Sequence, residues 1–422
     1  MTRARRVLLL STTTGYQLRS FGESAARLGV DLMFATDRCH ALEDPWQDAA
    51  VPVRFHEPDE SLRAILDAAQ QRPLDGVIAV GDRPVVLAAR VAQSLGLRGH
   101  SPDAAAASAN KRTTRERFAA EGLPVPWYFG AHTTTDLQGV ALKASFPLVV
   151  KPLGLSGSRG VIRADSPAEL AAALQRVYVL LARKDVRALR TGLEDDILVE
   201  GFIEGKEYAI EGVMTGGDFH PFAVFDKPDR LDGPFFEETI YVTPPSLPAD
   251  IERDVIDAVE RGARALGLRY GPVHAECRVG PDGIFVLEIA ARPMGGLCSR
   301  VLRFGTDGAP LEEILIRHAL GEDVTRYTRE DCAAGVMMIP IPGRGVLKQV
   351  EGTDRARAVP GVEEIRITAK PDQVLEPLPE AAGYLGFIFA RARHPAAAEA
   401  ALREAHSLLR FVIDRRIDVR SA

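Results

Sequence analysis

Cysteine is scarce: the 422 residues hold four, Cys39, Cys277, Cys298 and Cys332, with no C-x-x-C pair among them. That spacing argues against a disulfide framework, a structural zinc site and a redox dithiol; Cys298 could be a nucleophile, but nothing nearby marks a partnered base, and buried or incidental thiols are the expectation. Lysine is also rare, with only eight among 52 basic residues, so a lysine inside a phosphate-binding context is not there by accident. No apolar run approaches the roughly 18–20 residues that span a bilayer. Positive charge is not in excess: the formal net charge is -6 and no basic block occurs, which argues against a nucleic-acid partner. The stretch from Met1 to Leu10 imitates a signal peptide. Its apolar core, Val7–Leu10, is short of the roughly 7–15 residues such a peptide needs, so it reads as a buried first strand and the expected compartment is cytoplasmic. The loop Ser11–Gly15 lacks a full G-x-G-x-x-G, and no G-K-[ST] marks a Walker A loop.

What is present is an ordinary globular composition, 46% hydrophobic and 26% charged, long enough for two or three units. Residues 1–105 alternate strand and helix patterns: Val7–Leu10, a turn at Thr12–Gly15, Tyr16–Leu28, Val30–Ala35, Ser61–Gln71, Gly76–Val80, Pro84–Leu95. Alternation of this kind predicts a doubly wound parallel sheet whose edge binds substrate. Residues 106–310 hold further helices and strands, with a smaller unit over 146–203. Residues 311–422 predict an α+β unit with strands near Val336–Ile339, Val362–Ile367 and Tyr384–Ala390 and a helix Ala396–Val412. The fold class is therefore α/β and α+β.

The most informative stretch runs from Val273 to Arg292. Pro281-Asp282-Gly283 predicts a three-residue hairpin turn. With Gly280 opposite Ile284, Glu276 falls directly opposite Glu288. Alternation then puts Val273, Ala275, Cys277, Val279, Phe285, Leu287 and Ile289 on a core face, and His274, Glu276, Arg278, Glu288 and Arg292 on the other. Two carboxylates so placed have Cβ atoms about 5 Å apart and repel, unless a cation sits between them. Mg²⁺ suits such a pair, with phosphates and waters completing its shell. Two solvated glutamates eased by neighbouring arginines are the bland alternative.

Upstream, the apolar strand Phe146–Lys151 runs into Leu153-Gly-Leu-Ser-Gly-Ser-Arg-Gly160. Gly154, Gly157 and Gly160 recur every three residues, and such a loop can turn backbone N–H groups onto phosphate oxygens, with Ser156 and Ser158 adding hydroxyls. An unliganded glycine-rich hairpin is the alternative, and the preceding lysine weighs against it. Farther on, Ile197–Glu200, Phe202-Ile203 and Glu207–Glu211 form strand, apolar connector and strand. The connector can line an adenine, and a carboxylate on the second strand can accept from ribose hydroxyls.

These pieces, in this order over residues 105–305, resemble the ATP-grasp superfamily. The run Glu288-Ile-Ala-Ala-Arg292-Pro-Met-Gly-Gly296 is similar to its L-amino-acid ligase and carboxylate–amine ligase branch. The resemblance implies a pre-grasp domain, a grasp fold and a C-terminal extension. It implies ATP contacts from Lys111, Lys151 and the 153–160 loop, adenine held by Glu200 and the backbone near Phe202, and ribose by Glu207. Mg²⁺, or Mn²⁺ in its place, would lie on Glu276 and Glu288, with Arg292 on the transferring phosphoryl group. Many relatives carry Asn two positions after the second metal glutamate; Ala290 stands there, which leaves the number of ions open. His274 or Glu211 would orient the amine or take its proton, and Gly295, Gly296 and Arg300 would meet a substrate carboxylate. The implied activity is ATP-dependent coupling of a small-molecule carboxylate to an amine, in a chain for which a homodimer is compatible. Two other readings stay open: a purine-pathway-like synthetase or carboxylase, and a nucleotide-binding regulator without turnover.

Overall fold

The computed structural model describes residues 3–12, 17–37, 50–135, 139 and 144–414. Cys39 and most of the Thr12–Gly15 turn, with Tyr16, lie outside them. The N-terminal strands Arg6–Ser11, Asp31–Thr36, Val51–Pro52 and Gly76–Val80 form a parallel sheet. Val7 to Leu10 are wholly buried on both faces, as an apolar run in a covered parallel sheet should be. Leu8 and Leu10 pack with Ile65 and Val91 of helices Pro58–Gln71 and Val85–Ser94. Val7 and Leu9 pack with Phe21 and with helix Leu311–Ala319, so that helix belongs to the core of the first domain.

A second, four-stranded sheet carries the glycine-rich loop. Its order is Tyr128–His132, Asp196–Gly201, Leu148–Pro152, Ile162–Ala164. Leu148 and Val150 point at helix Pro167–Leu181, whose apolar residues Leu170, Leu174, Val177 and Leu181 recur at helical spacing. The alternate residues Val149 and Lys151 therefore face the other way, into a cleft.

The cleft's far wall is an eight-stranded sheet: Gly283–Ala290, Gly271–Gly280, Lys206–Thr215, Asp218–Asp226, Ile240–Thr243, Ala333–Ile339, Gly386–Ala392 and Val362–Ile367. The last three come from beyond residue 310, so one sheet runs through the central and C-terminal regions. Helix Ala249–Ala265 covers the first strands with Val255, Val259 and Ala263, and helix Pro395–Ser407 covers the last with Ala398, Leu402 and Ala405. The C-terminal helix stops at Ser407 instead of running to Val412. Arg410–Asp414 is a strand paired with Gly345–Glu351, two elements whose short, charge-interrupted runs carry little periodic signal.

Candidate active site

The hairpin Gly271–Ala290 turns more tightly than its sequence predicts, and a bulge restores the register. Gly280 pairs with Gly283 across Pro281-Asp282, and Cys277 pairs with Val286. One extra residue enters at Leu287, after which Glu276 faces Glu288 as expected. The core face is corrected accordingly: Val286 and Ile289 are buried in the core, whereas the consecutive residues Leu287 and Glu288 both line the cleft.

The cleft encloses a cavity of about 330 Å³. Of the residues expected to act, Lys111, Lys151, Ser156, Gly157, Ser158, Glu200, Phe202, Glu207, His274, Glu276, Glu288, Arg292, Gly295 and Gly296 line it. Gly154, Gly160, Glu211 and Arg300 do not appear on its wall.

One end is apolar. Val149, Val161, Phe202, Leu231 and Phe236 cluster there with Leu287, and the guanidinium of Arg163 lies 4.1 Å over the Phe202 ring. The Phe202 N–H is given to the Pro147 carbonyl, and the Ile203 carbonyl accepts from Arg278 at 2.7 Å. Glu200 departs from its expected role against adenine. Both its oxygens are taken, by Arg115 at 2.8 and 3.2 Å and by Lys151 at 2.6 Å. Burial favours its neutral form, but Arg115 and Lys151 outweigh that and hold the carboxyl at about 2. Glu200 thus fixes the Lys151 ammonium. In the loop, Gly157 has φ +62° and Ser158 +56°, turning the backbone sharply at the cavity. Gly160 serves packing: a Cβ there would lie 2.6 Å from Pro152. Gly154 is likewise closed in, by Thr191 at 2.9 Å.

The middle of the cavity is charged. Lys111, the first residue of a helix capped by the Asn110 side chain, sits 3.5 Å from Glu288. Lys227 had no part in the sequence reading, yet its ammonium lies 2.7 Å from Glu207 and 3.2 Å from Glu276, and it also pairs with Glu238. These three carboxylates hold the ammonium far above its ordinary pKa although burial works against the charge. Their oxygens could hold a metal ion, all lying within 4.8 Å of one another, but the ammonium already occupies that cage. Glu207 is bound on its other oxygen by Arg278 at 3.0 Å, so its expected role on a ribose is displaced by two cations. Burial and the charge of Glu276 raise Glu238 to about 7, while Lys227 and His274 hold Glu276 well below its usual range. Glu276 and Glu288 remain as two hard oxygen donors facing each other beside Lys111, a set that fits a divalent cation taking its other ligands from phosphate and water.

His274 and Glu211 also need correcting. His274 Nδ1 is 3.1 Å from Glu211, its partner across the ladder. Burial would lower the imidazole pKa, but Glu211 and Glu276 raise it to about 9. These contacts favour the protonated, donor form of the ring. Glu211 is wholly buried and accepts from the Met294 N–H at 3.1 Å, so it orients His274 from behind. Arg300 turns away to Glu364 at 2.6 Å. Beyond His274 the cavity ends on Met294, Cys298, Met338, Tyr384 and Phe387. Burial pushes the Cys298 thiol up, which makes it inert.

Asp82, Lys227, Glu238, Tyr384 and Phe387 were missed by sequence reasoning. Lysine scarcity was a usable signal for Lys227, since two of the seven described lysines line this cavity and Lys227 pairs with its Glu276. Asp82 sits just past the end of the strand Gly76–Val80, where parallel sheets bind ligands.

Family models describing an ATP-grasp N-terminal domain, an ATP-grasp domain and an L-amino acid ligase C-terminal domain match residues 22–99, 144–301 and 337–414. The crystal structure of L-amino acid ligase from Bacillus licheniformis superposes with a TM-score of 0.83 at 26% identity, covering 98% of this chain and 100% of that one. An uncharacterised protein of Sinorhizobium fredii is 27% identical over 95% of this chain and 82% of its own length. Alanine–anticapsin ligase of Bacillus amyloliquefaciens is 26% identical over 52% of this chain, a match spanning 48% of that protein. No helix among the described residues is long and apolar enough to cross a membrane. Three domain matches in chain order, on a fold whose cleft gathers lysines, an arginine and facing glutamates, settle the family: the chain belongs to the ATP-grasp superfamily, in its L-amino-acid ligase and carboxylate–amine ligase branch.

Proposed function

We propose that this protein joins an amino-acid carboxylate to an amine at the expense of ATP, in the cytoplasm. The single observation that carries the reading is the convergence of Lys111, Lys151 and Arg292 with the facing Glu276 and Glu288 in one cavity.

A carboxylate is a poor electrophile at neutral pH. Its oxygen attacks the γ-phosphorus of ATP, the bond to the β,γ-bridging oxygen breaks, and ADP leaves behind an acyl-phosphate. Such a transfer asks the protein mainly for positioning and for charge to offset the phosphoryl oxygens. Lys151, held by Glu200, and Lys111 supply fixed positive charge beside the glycine loop. Arg292 supplies a planar donor edge suited to a phosphoryl group. The apolar pocket of Val149, Val161, Phe202, Phe236 and Leu287 excludes water around the base. Mg²⁺ or Mn²⁺ on Glu276 and Glu288 would offset phosphate charge when bound. The amine nitrogen then attacks the acyl carbon, the carbon–oxygen bond to phosphate breaks, and the amine's surplus proton goes to the departing phosphate. The imidazolium of His274 and the backbone at Gly295-Gly296 are donors that can hold the substrate's carboxylate group. Cys298, Met338, Tyr384 and Phe387 provide an apolar bed for its side chain.

The test is phosphate release with Mg²⁺ and ATP over pairs of amino acids, with mass spectrometry of the products. Phosphate and a product of the two masses less one water are expected. Release that needs only bicarbonate would favour a carboxylase. Nucleotide binding without turnover on any pair would favour a regulator.

A further inference from the structure

Asp82 is a charged side chain of the cavity that has no part in the chemistry above. Asp82 comes from the N-terminal domain, just after Gly81, whose φ of +86° ends the strand Gly76–Val80 and turns the chain toward the cleft. Its Oδ1 accepts a 2.6 Å hydrogen bond from Nε of Arg292, a residue 210 positions away. The pair is mostly shielded, with the arginine side chain 13% exposed and the aspartate 32%. Burial favours the neutral acid, but Arg292, then Lys111 and a hydrogen bond from Ser156, keep the carboxyl below its ordinary range. Asp82 is therefore an anion set among the cations and the loop expected to meet the triphosphate.

That placement needs a reason, because a carboxylate beside a phosphate site repels the substrate it faces. The hydrogen bonds of Arg292 supply one. A guanidinium has five N–H groups in a rigid plane. Arg292 gives the Nε–H to Asp82 and one Nη1–H to the Pro293 carbonyl at 3.0 Å. These two bonds hold the guanidinium at Nε and at Nη1, and among the described residues no hydrogen bond is made by Nη2. An arginine with several rotatable bonds and no such anchor would spread over many rotamers.

We propose that Asp82 is a positioning residue of the ligation reaction: by holding the Nε–H of Arg292 it fixes the guanidinium plane and leaves Nη2 to meet the transferring phosphoryl group, which makes the N-terminal domain part of the catalytic apparatus. The proposal rests on the ligase reading above. Asp82 touches neither reacting atom; it acts through Arg292.

A double-mutant cycle on the full chain separates this from a structural tie. Amide formation and the ATP dissociation constant are measured for wild type, Asp82→Ala, Asp82→Asn, Arg292→Ala and the Asp82→Ala/Arg292→Ala double variant. A misaimed catalytic group costs on the order of 100-fold in rate. Asp82→Ala is expected to lower kcat by about 10- to 100-fold, with ATP affinity within about twofold. Asp82→Asn, whose amide oxygen still accepts from Nε without the charge, should recover part of the loss. In the Arg292→Ala background the loss of Asp82 should add nothing. Should Asp82→Ala not fold, Asp82→Asn and its combination with Arg292→Ala carry the same comparison. The proposal is overturned if kcat of the Asp82 variants equals wild type, or if they lose the same factor with and without Arg292. A wild-type enzyme that makes no amide would remove the ligase reading itself, a result distinct from either.

Discussion

The two ends of the cavity are built on different plans. The end proposed for the nucleotide takes much of its wall from one small sheet and its loops, with Val149, Lys151, the loop 153–160 and the segment 200–203, and adds Leu231, Phe236 and Leu287. Its charges are few and fully paired, Glu200 with Arg115 and Lys151. The catalytic end takes Asp82 from the first domain, Lys227 and Glu238 from a loop, His274, Glu276 and Arg292 from the hairpin, and Tyr384 and Phe387 from the C-terminal region. Its carboxylates crowd one another, and Glu207, Glu238 and Glu276 share one buried ammonium. A site that binds an invariant cosubstrate can be local; one that must gather two substrates and a phosphoryl group draws on the whole chain.

The sharpest way to test that contrast is to remove the groups that belong to the reaction alone. Glu288→Ala and Arg292→Ala should each lower kcat by about 10³-fold, the upper range for losing one fixed stabiliser of transition-state charge. Glu288 is partly exposed, and melting temperature should stay near that of wild type. Phosphate release together with a melting curve reads both. Next comes Lys227→Met. Three carboxylates would lose a fully buried partner, a change expected to cost about 3–5 kcal/mol in urea unfolding. Lys151→Met should cost less, because Arg115 still neutralises Glu200. Equal losses would show that the two ends are balanced alike.

Acid and base should also attack different ends. Glu200, depressed from 4.5 to about 2, contributes stability that is present above pH 4.5 and lost as pH falls through about 2. His274, raised from 6.5 to about 9, contributes stability that is full below pH 6.5 and lost as pH rises through about 9. In protein kept metal-free with chelator, unfolding free energy should decline between pH 6.5 and 9 by about 1–3 kcal/mol. His274→Gln should remove that decline and leave the acid limb untouched. An alkaline limb that survives the substitution would assign it elsewhere.

The same division explains what the sequence could disclose. Strands with strong period-two or continuous apolar patterns, such as Gly76–Val80 and Val362–Ile367, carry their own boundaries. The facing of Glu276 and Glu288 was legible as well, though by a longer turn and a regular ladder, where the protein uses a tighter turn and a bulge at Leu287. A bulge has no signature in a run of alternating apolar residues, so Leu287 was assigned to the core. The partners of Glu207, Glu200 and Arg300 were out of reach because Lys227, Arg115 and Glu364 approach them through tertiary contacts 20, 85 and 64 residues away.

The smallest effects should come from side chains that lie off the cavity wall. The loop's subdomain is tied to the C-terminal region by Arg176 on Glu380 and by Arg159 on the Glu380 carbonyl. Arg176→Ala breaks a half-exposed pair and should raise the KM for ATP by no more than about threefold, through a looser cover. Arg300→Ala should do less still. The side chain lies on a short 3-10 turn, pairs with Glu364 at 2.6 Å and stacks over Phe389, with nearly a third of it exposed. Losing that partly solvated pair should cost about 0–1 kcal/mol. Substrate KM should stay within about twofold of wild type, because no part of the guanidinium lines the cavity. A rise of about tenfold or more in KM for one amino acid, with the other and ATP unaffected, would mean that Arg300 swings inward when substrate binds, and the catalytic end would then extend farther into the C-terminal region than its side chains now reach.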